Sequence, residues 1–285
     1  MKKILVTGAN GQLGLCLKSK YEEEQNLEFI FLDSKSLDIT NENKVKTIFN
    51  SGSFDFCINC AAYTAVDTAE DEKEIAYNIN VIGAKNLAEA CNTFNVTLIH
   101  FSTDFVFDGS SKVAYKETGA ASPLGVYGFT KLKGEEAIST TIKKYYIIRT
   151  SWLYSEFRNN FVKTMLRLAA EKEELNVVND QIGTPTNAND LAAVIIKIIK
   201  SSKQNYGLYH FSNLGETTWY GFAKAIFNFT KTPIKVNAVT SKAFVTKAER
   251  PKYSVLDKTK ISDSFSLKIL DWKESLENHI KTTYL

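Results

Sequence analysis

Apolar runs of strand length recur through the first half of the chain, each followed by a polar turn and a stretch whose apolar positions fall at helical spacing. Lys3 to Val6 reads as a first strand, Leu27 to Leu32 as a second, Phe56 to Asn59 as a third, Val96 to Phe101 as a fourth and Tyr145 to Thr150 as a fifth. Helix-compatible segments lie between them: Gln12 to about Tyr21, a stretch to Phe49 opened by the cap residues Asp38-Ile39-Thr40-Asn41, Glu74 to Phe94, and one beginning near Val126. Strands alternating with helices in this way predict an α/β fold with a doubly wound parallel sheet over residues 1–150. Beyond Ser151 the rhythm changes. A helix over Phe161 to Glu173, a short strand over Leu175 to Val178, a loop over Asp180 to Asn187, a helix over Asp190 to Lys200, a strand over Tyr206 to Phe211 and a helix over Thr218 to Phe229 follow. Part of residues 175–211 is expected to join the sheet, and residues 151–285 mainly to form a smaller C-terminal lobe suited to holding a substrate.

The first strand runs directly into Thr7-Gly8-Ala9-Asn10-Gly11-Gln12-Leu13-Gly14, three glycines spaced G-x-x-G-x-x-G at the start of a helix. Such a strand, turn and helix start is a Rossmann-like dinucleotide-binding arrangement. Glycine permits the tight turn and lets backbone amides approach a pyrophosphate, while the helix N-terminus supplies donors and a positive dipole end. An ordinary glycine-rich turn is the competing reading, and later residues must decide. Asp33, at the end of the second strand, stands 19 residues beyond Gly14, near the spacing at which a carboxylate takes the adenosine ribose, and equally a place for a turn residue. Lys35 nearby could attract a 2′-phosphate, so NADH and NADPH both stay open. The third strand passes into Ala61-Ala62-Tyr63-Thr64, where small residues let a backbone run close to a flat ring. The fourth ends in Ser102-Thr103-Asp104, polar groups at the strand edge where open parallel sheets bind ligands.

Composition narrows the class without choosing within it. The chain has 285 residues, is 44% apolar and 24% charged, and carries a formal charge of +3 with lysines interspersed among acids. Those values describe a globular protein and give no argument for nucleic acid or a membrane as partner. With no charged and apolar leader before the first strand and no run long enough to span a bilayer, a cytoplasmic location is expected. Cys57 and Cys60 match C-x-x-C, but residues three apart on a strand face opposite ways and no second pair completes a zinc set, so all four cysteines read as buried thiols and no metal is expected. The acidic stretch Asp67, Glu70, Asp71, Glu72 and Glu74 reads as a solvated helix start.

Tyr127 and Lys131, four residues apart, share one helix face, so the ammonium is expected to lower the tyrosine's pKa toward a value useful for proton transfer. Tyr220 and Lys224 repeat the spacing, but in Trp219-Tyr220-Gly221-Phe222-Ala223, whose aromatics read as lobe packing. Gly8 to Gly14, Thr103, Tyr127 and Lys131, in that order, resemble the extended short-chain dehydrogenase/reductase superfamily. Ala61 to Asp67, Ser102 to Gly109, Arg149-Thr150-Ser151-Trp152, Asn160 to Met165, Asn179 to Thr186 and Arg250-Pro251 narrow the likeness to its dTDP-4-dehydrorhamnose reductase family.

That resemblance implies reduction of the C4 ketone of a dTDP-linked 4-keto-6-deoxy sugar by NADPH or NADH, the closing step of dTDP-L-rhamnose synthesis, in a monomer or homodimer. It implies that Gly8, Asn10, Gly11, Gln12, Leu13 and Gly14 hold the cofactor pyrophosphate, that Asp33 lies near the adenosine ribose and Asp38 and Ile39 near the adenine, and that Ala61, Ala62, Tyr63, Thr64 and Ser102 pass along the cofactor. Lys131 would bond the nicotinamide ribose, Tyr127 would donate the proton, Thr103 would fix the C4 oxygen, and Asp104 and Trp152 would position the sugar. Phe105 stands where members commonly have tyrosine, removing a hydroxyl from the sugar side. Cys16 replaces a glutamate with which some members bridge subunits through a metal. Related dehydratases follow the threonine with an Asp-Glu pair for elimination, which Asp104-Phe105 lacks; an epimerase of the same fold or a non-catalytic NADP-binding regulatory subunit is the alternative. Arg149, Arg158 and Arg250 are candidate diphosphate contacts, Arg149 equally a structural residue of its strand.

Overall fold

The computed structural model describes residues 1–201 and 203–285. β1 (Lys2–Thr7), α1 (Gln12–Tyr21), β2 (Leu27–Leu32), α2 (Glu42–Gly52) and β3 (Phe56–Asn59) open the chain. Then α3 (Lys73–Tyr77) passes through a π-helical turn, Asn78–Gly83, into α4 (Ala84–Thr93), followed by β4 (Thr97–Thr103), α5 (Val126–Thr141) and β5 (Tyr145–Thr150). Beyond these come β6 (Leu153–Tyr154), α6 (Phe161–Glu171), β7 (Glu174–Val178), β8 (Ile182–Gly183), β9 (Thr186–Asn187), α7 (Ala188–Lys200) and β10 (Gly207–His210). The chain closes with β11 (Thr217–Thr218), α8 (Trp219–Thr230), β12 (Lys235–Val239), α9 (Thr259–Phe265) and α10 (Trp272–Thr283).

Six strands form one parallel sheet in the order β10-β5-β4-β3-β1-β2. Alternation along β1 shows how both faces are covered. Ile4 and Val6 point into one apolar cluster with Leu13 and Leu17 of α1 and Leu191, Ile195 and Ile199 of α7, whereas Leu5 points into another with Val45 and Phe49 of α2, Leu87 of α4 and Ile138 of α5. Each such buried side chain contributes about 1.5 to 3 kcal/mol relative to exposure. Cys57 lies in the second cluster and Cys60 packs against the first, so the C-x-x-C cysteines face opposite sides. A third cluster, with Leu175, Phe222, Phe227, Trp272 and Leu276, lies under the parallel pair β7 and β12 and the helices α6, α8 and α10.

The sequence order runs outward from β1 to β2 and then restarts on the other side with β3. That reversal places a crevice beyond the C-terminal ends of β1 and β3, where open α/β sheets bind ligands. One predicted element differs. The helix expected over Glu74 to Phe94 is interrupted by the π turn, which aims Asn80 inward to 1% exposure. There its amide accepts from the Tyr63 N–H (2.9 Å) and donates to the Tyr63 carbonyl (3.1 Å) and the Thr130 hydroxyl (3.0 Å). A single side chain so fixes the strand exit of β3 to α5.

Candidate active site

Gly8 has φ +63°, and a Cβ there would sit 2.4 Å from the backbone nitrogen of Ala61. Only glycine allows the two strand exits to meet so closely. Gly8, Asn10 and Gly11 line a cleft of 330 Å³ with Asp33, Asp38, Ile39, Ala61 and Ala62. Asp33 accepts from the Asn10 amide at 2.9 Å, and its carboxyl is held below the usual carboxylate range by Ser36 hydrogen bonds. Leu13 and Gly14 are buried beneath the cleft, Leu13 in the core. The Gln12 side chain turns the other way, donating to the Leu153 carbonyl (3.1 Å) and accepting from Asn160 (2.9 Å), which leaves its backbone at the helix start. Arg158, with φ +54°, donates to the Asn10 carbonyl at 2.5 Å, above the same turn. Tyr63 gives its hydroxyl to Glu72 (2.7 Å), and Thr64 is exposed.

At the next strand exit, Ser102, Thr103 and Asp104 are 4, 5 and 2% exposed, yet Ser102 Oγ and Asp104 Oδ2 have no hydrogen-bond partner. Buried polar atoms left unpaired are costly, and two at one strand end mark a place shaped for a ligand. Thr103 Oγ1 donates to Asp104 Oδ1 (3.1 Å) and accepts from the Phe105 N–H (3.2 Å). Burial pushes the Asp104 carboxyl up to about 6. Helix α5 reaches this point because Gly128 has no side chain: a Cβ would lie 2.1 Å from the Phe105 carbonyl oxygen. Phe105 in turn packs edge-on against the Tyr127 ring, centroids 5.6 Å apart, and so braces Tyr127.

Lys131 is 2% exposed, and burial lowers its pKa to about 8 despite the opposing charge of Glu135. Tyr127 does not show the lowered pKa expected from its lysine neighbour. Burial pushes it up to about 12, against a Thr103 hydrogen bond that favours ionisation and with the Asp104 charge adding to the rise. Its phenol is therefore protonated across the neutral range. Behind Lys131, His100 is buried and held neutral by desolvation and by the lysine's charge, with its Nε2 3.4 Å from Lys131 Nζ. Arg149 forms a buried two-pronged pair with Glu135 (2.7 and 2.9 Å), which makes it structural rather than a diphosphate contact.

The acidic stretch is a solvated helix start only in its later part, where Glu72 and Glu74 are exposed at the beginning of α3; the earlier acids are engaged with other segments. Asp67 pairs with Arg250 (2.7 Å) and accepts from the Ala248 N–H (3.1 Å), Glu70 accepts from the Val126 N–H at the start of α5 (2.8 Å), and Asp71 pairs with Lys247. These bonds bring residues 247–250 over the helix that carries Tyr127. Ala248 and Arg250 also rim a cleft of 770 Å³ floored by β7, in which five cationic side chains face two carboxylates. Trp219 forms part of its wall, stacked on Trp152 with centroids 3.6 Å apart and held by a bond from its indole N–H to Gln181 (3.2 Å). Trp219 thus belongs to a cleft and not only to lobe packing. Trp152, at φ +47°, buttresses it from behind.

The family described as RmlD substrate binding domain matches the chain over residues 1–285. A dTDP-4-dehydrorhamnose reductase from Aggregatibacter actinomycetemcomitans is 45% identical over 98% of this chain and 98% of its own length. The chain belongs to the dTDP-4-dehydrorhamnose reductase family. Two solved structures are similar throughout: a reductase of that name from Clostridium acetobutylicum (TM-score 0.95, 44% identical, 99% of this chain and 100% of that one) and one from Bacillus anthracis in complex with NADP (TM-score 0.96, 41% identical, 99% and 100%).

For this member of the reductase family, the residues the sequence conceals are those that act across long separations. Asn80 and Glu70 have no local signature, since their partners Tyr63, Thr130 and Val126 lie up to 56 positions away. His100 reads as one more residue of an apolar strand. The signal available for Trp219 is its neighbour Thr218, which caps α8 through the Gly221 N–H (3.1 Å) and fixes where that helix begins.

Proposed function

We propose that the chain reduces the C4 ketone of dTDP-4-dehydro-L-rhamnose to dTDP-L-rhamnose with NADPH or NADH, as an oxidoreductase of the short-chain type. The observation that carries this is the convergence of Thr103, Tyr127 and Lys131 on one strand end beside a glycine cradle that no Cβ could enter. That cradle, and the unpaired Ser102 Oγ and Asp104 Oδ2 next to it, fit a dinucleotide running from the β1 turn toward β4. Gly8 to Gly14 would hold its pyrophosphate, Asp33, Asp38 and Ile39 its adenosine end, and Ala61 to Thr64 its length. When bound, the nicotinamide supplies hydride to the sugar's C4.

The chain's own groups do the rest. Lys131 would take the nicotinamide ribose hydroxyls. Tyr127, protonated across the neutral range, is the acid: its O–H bond breaks as the proton passes to the C4 oxygen, and Thr103 fixes that oxygen by donating a hydrogen bond. Asp104, half-protonated near pH 6, can accept from a sugar hydroxyl through Oδ2. The excess of cations and the Trp219 face in the large cleft suit a diphosphate joined to a planar base, so dTDP is assigned there, with the sugar reaching past Ala248 toward Tyr127. On this basis residues 1–150, with α7 and β10, form the cofactor domain and most of residues 151–285 the substrate lobe.

Consumption of NADPH by the purified protein should depend on dTDP-4-dehydrorhamnose. Tyr127→Phe should lower kcat roughly 10²- to 10⁴-fold while NADPH still binds. Unchanged turnover would remove Tyr127 as the acid, and a wild type that binds NADPH without turnover would make the chain a binding subunit.

A further inference from the structure

Three buried residues behind Lys131 form with it a line whose donors and acceptors can be assigned. Thr7, Asn59, His100 and Lys131 are 0, 1, 1 and 2% exposed. Asn59 Oδ1 lies 3.1 Å from the Ala61 backbone nitrogen and 2.7 Å from Thr7 Oγ1. A backbone N–H can only donate, so that Asn59 atom is the oxygen and its amide group is the one 3.0 Å from His100 Nδ1. An amide that donates needs a lone pair opposite it. His100 Nδ1 therefore carries no proton, and the neutral ring has its hydrogen on Nε2, the nitrogen that faces Lys131 Nζ at 3.4 Å.

An ammonium has three donors and no lone pair, so a ring N–H cannot bond to it, whereas the neutral amine can accept that N–H. We propose that His100 is a positioning residue for Lys131: locked by Asn59 as the Nε2–H tautomer, it presents a donor that favours the amine and so sets the pH at which Lys131 loses its proton. Other charges near the pair come from three elements. On α5, Glu135 follows Lys131 by one turn and favours the ammonium, and Tyr127 precedes it by one turn; on β5, Arg149 spends its charge on Glu135; on β4 itself, Asp104 lies four residues beyond His100. Glu135 and the His100 donor thus pull the lysine in opposite directions. In an enzyme of the kind proposed above, that balance leaves Lys131 able to exchange its proton near neutral pH.

The test uses ligand-free, full-length protein labelled with [15N]histidine and [13Cε]lysine, so it stands or falls apart from the identity of the sugar and from turnover. His100→Gln and Lys131→Arg assign the signals. His100 should show the Nε2–H pattern, and Lys131 should titrate well below the exposed lysines. His100→Gln can accept from Asn59 and donate to Lys131 with one amide, and should leave the lysine midpoint near that of the wild type. Asn59→Asp accepts at Nδ1, turns the ring to present its Nε2 lone pair, and should raise the midpoint by roughly one pH unit or more. The added carboxylate charge is common to the Asn59→Asp, His100→Leu double variant, which has no group to reorient and, measured against His100→Leu, should rise less. An Nδ1–H ring in the wild type overturns the proposal, as do equal rises in the two backgrounds.

Discussion

The two clefts, one at the β1 turn and one in the C-terminal lobe, are built from opposite materials. The one beyond β1 and β3 is made of backbone and small residues, Gly8, Gly11, Ala61 and Ala62, contributed by two neighbouring strand exits. The one over β7 is made of side chains, Trp219, Gln181, Lys247 and Arg250 among them, drawn from segments up to about 90 residues apart and held by an ion pair to Asp67. A cleft of the first kind is defined by atoms that are missing, and a cleft of the second by atoms that are present. Adding a methyl group should ruin the first, and removing a ring should ruin the second.

Gly8→Ala is the harshest test of that contrast. The new Cβ would lie 2.4 Å from Ala61 N and 2.6 Å from the Cys60 carbonyl carbon, both backbone atoms of a central strand exit that cannot step aside. With the left-handed φ added, the cost is about 2 to 4 kcal/mol. Urea unfolding should show that loss, and NADPH fluorescence titration a loss of cofactor affinity of roughly a hundredfold or more. A variant that bound NADPH as the wild type does would show that the cradle is not the cofactor's place.

Asp104 lies just past the end of β4 and lines neither cleft, and its expected effect is somewhat smaller. Its folded pKa of about 6 lies above the ordinary carboxylate value of 3.8, so the fold prefers the protonated acid. Below both values the carboxyl is neutral in either state and costs nothing. As pH rises from 4 to 6 the unfolded chain ionises first, and stability falls by about 2 to 3 kcal/mol before levelling off. Asp104→Asn removes that slope. Unfolding of wild type and variant at two pH values, one below 4 and one above 7, should show the variant gaining relative stability at the higher pH. A constant difference would mean that Asp104 Oδ2 is not left unpaired.

These two positions were not equally readable. Gly8 announces itself because strand, glycine spacing and helix start are all local, whereas the switch point beside it comes from a strand order that only the fold shows. Tyr127 and Lys131 were readable as a pair, but their protonation was not: the spacing predicts a lowered tyrosine pKa, while burial against Thr103 and Asp104 raises it. Asp67 and Asp71 depart from the solvated helix start for the same reason, since charge along a sequence says nothing about the cations that the fold brings to it from residues 247–250. The π turn at Asn78–Gly83 has no pattern of its own and exists because Asn80 has three partners to reach.

Trp219 tests the other half of the comparison. Trp219→Ala would empty one wall of the large cleft and leave the face of Trp152 uncovered, with the β1 turn untouched. The KM for the sugar nucleotide should rise roughly ten- to thirtyfold, as for a stacked aromatic anchor, with cofactor affinity unchanged. A loss confined to cofactor binding would place the nucleotide elsewhere.

The smallest effect is expected at the ion pair that holds one rim of the large cleft. Asp67 and Arg250 are part-exposed, at 42 and 24% of their side chains, so their pair is worth only about 0.5 to 1 kcal/mol. Asp67→Asn should therefore raise the KM for the sugar nucleotide a few-fold at most, through a looser segment 247–250 rather than through lost chemistry. Acid should mimic the variant. Arg250 holds the Asp67 carboxyl below its ordinary value, so the pair's contribution is full above the unfolded pKa and disappears as pH falls through the lower folded one. The Lys247 and Asp71 pair, more exposed on both sides at 62 and 56%, is the control: Asp71→Asn removes a surface ion pair of the same segment and should change the KM by less than Asp67→Asn does. Equal effects would mean that any charge on the acidic stretch holds the segment down, and that the two-pronged Arg250 contact has no special part in shaping the large cleft.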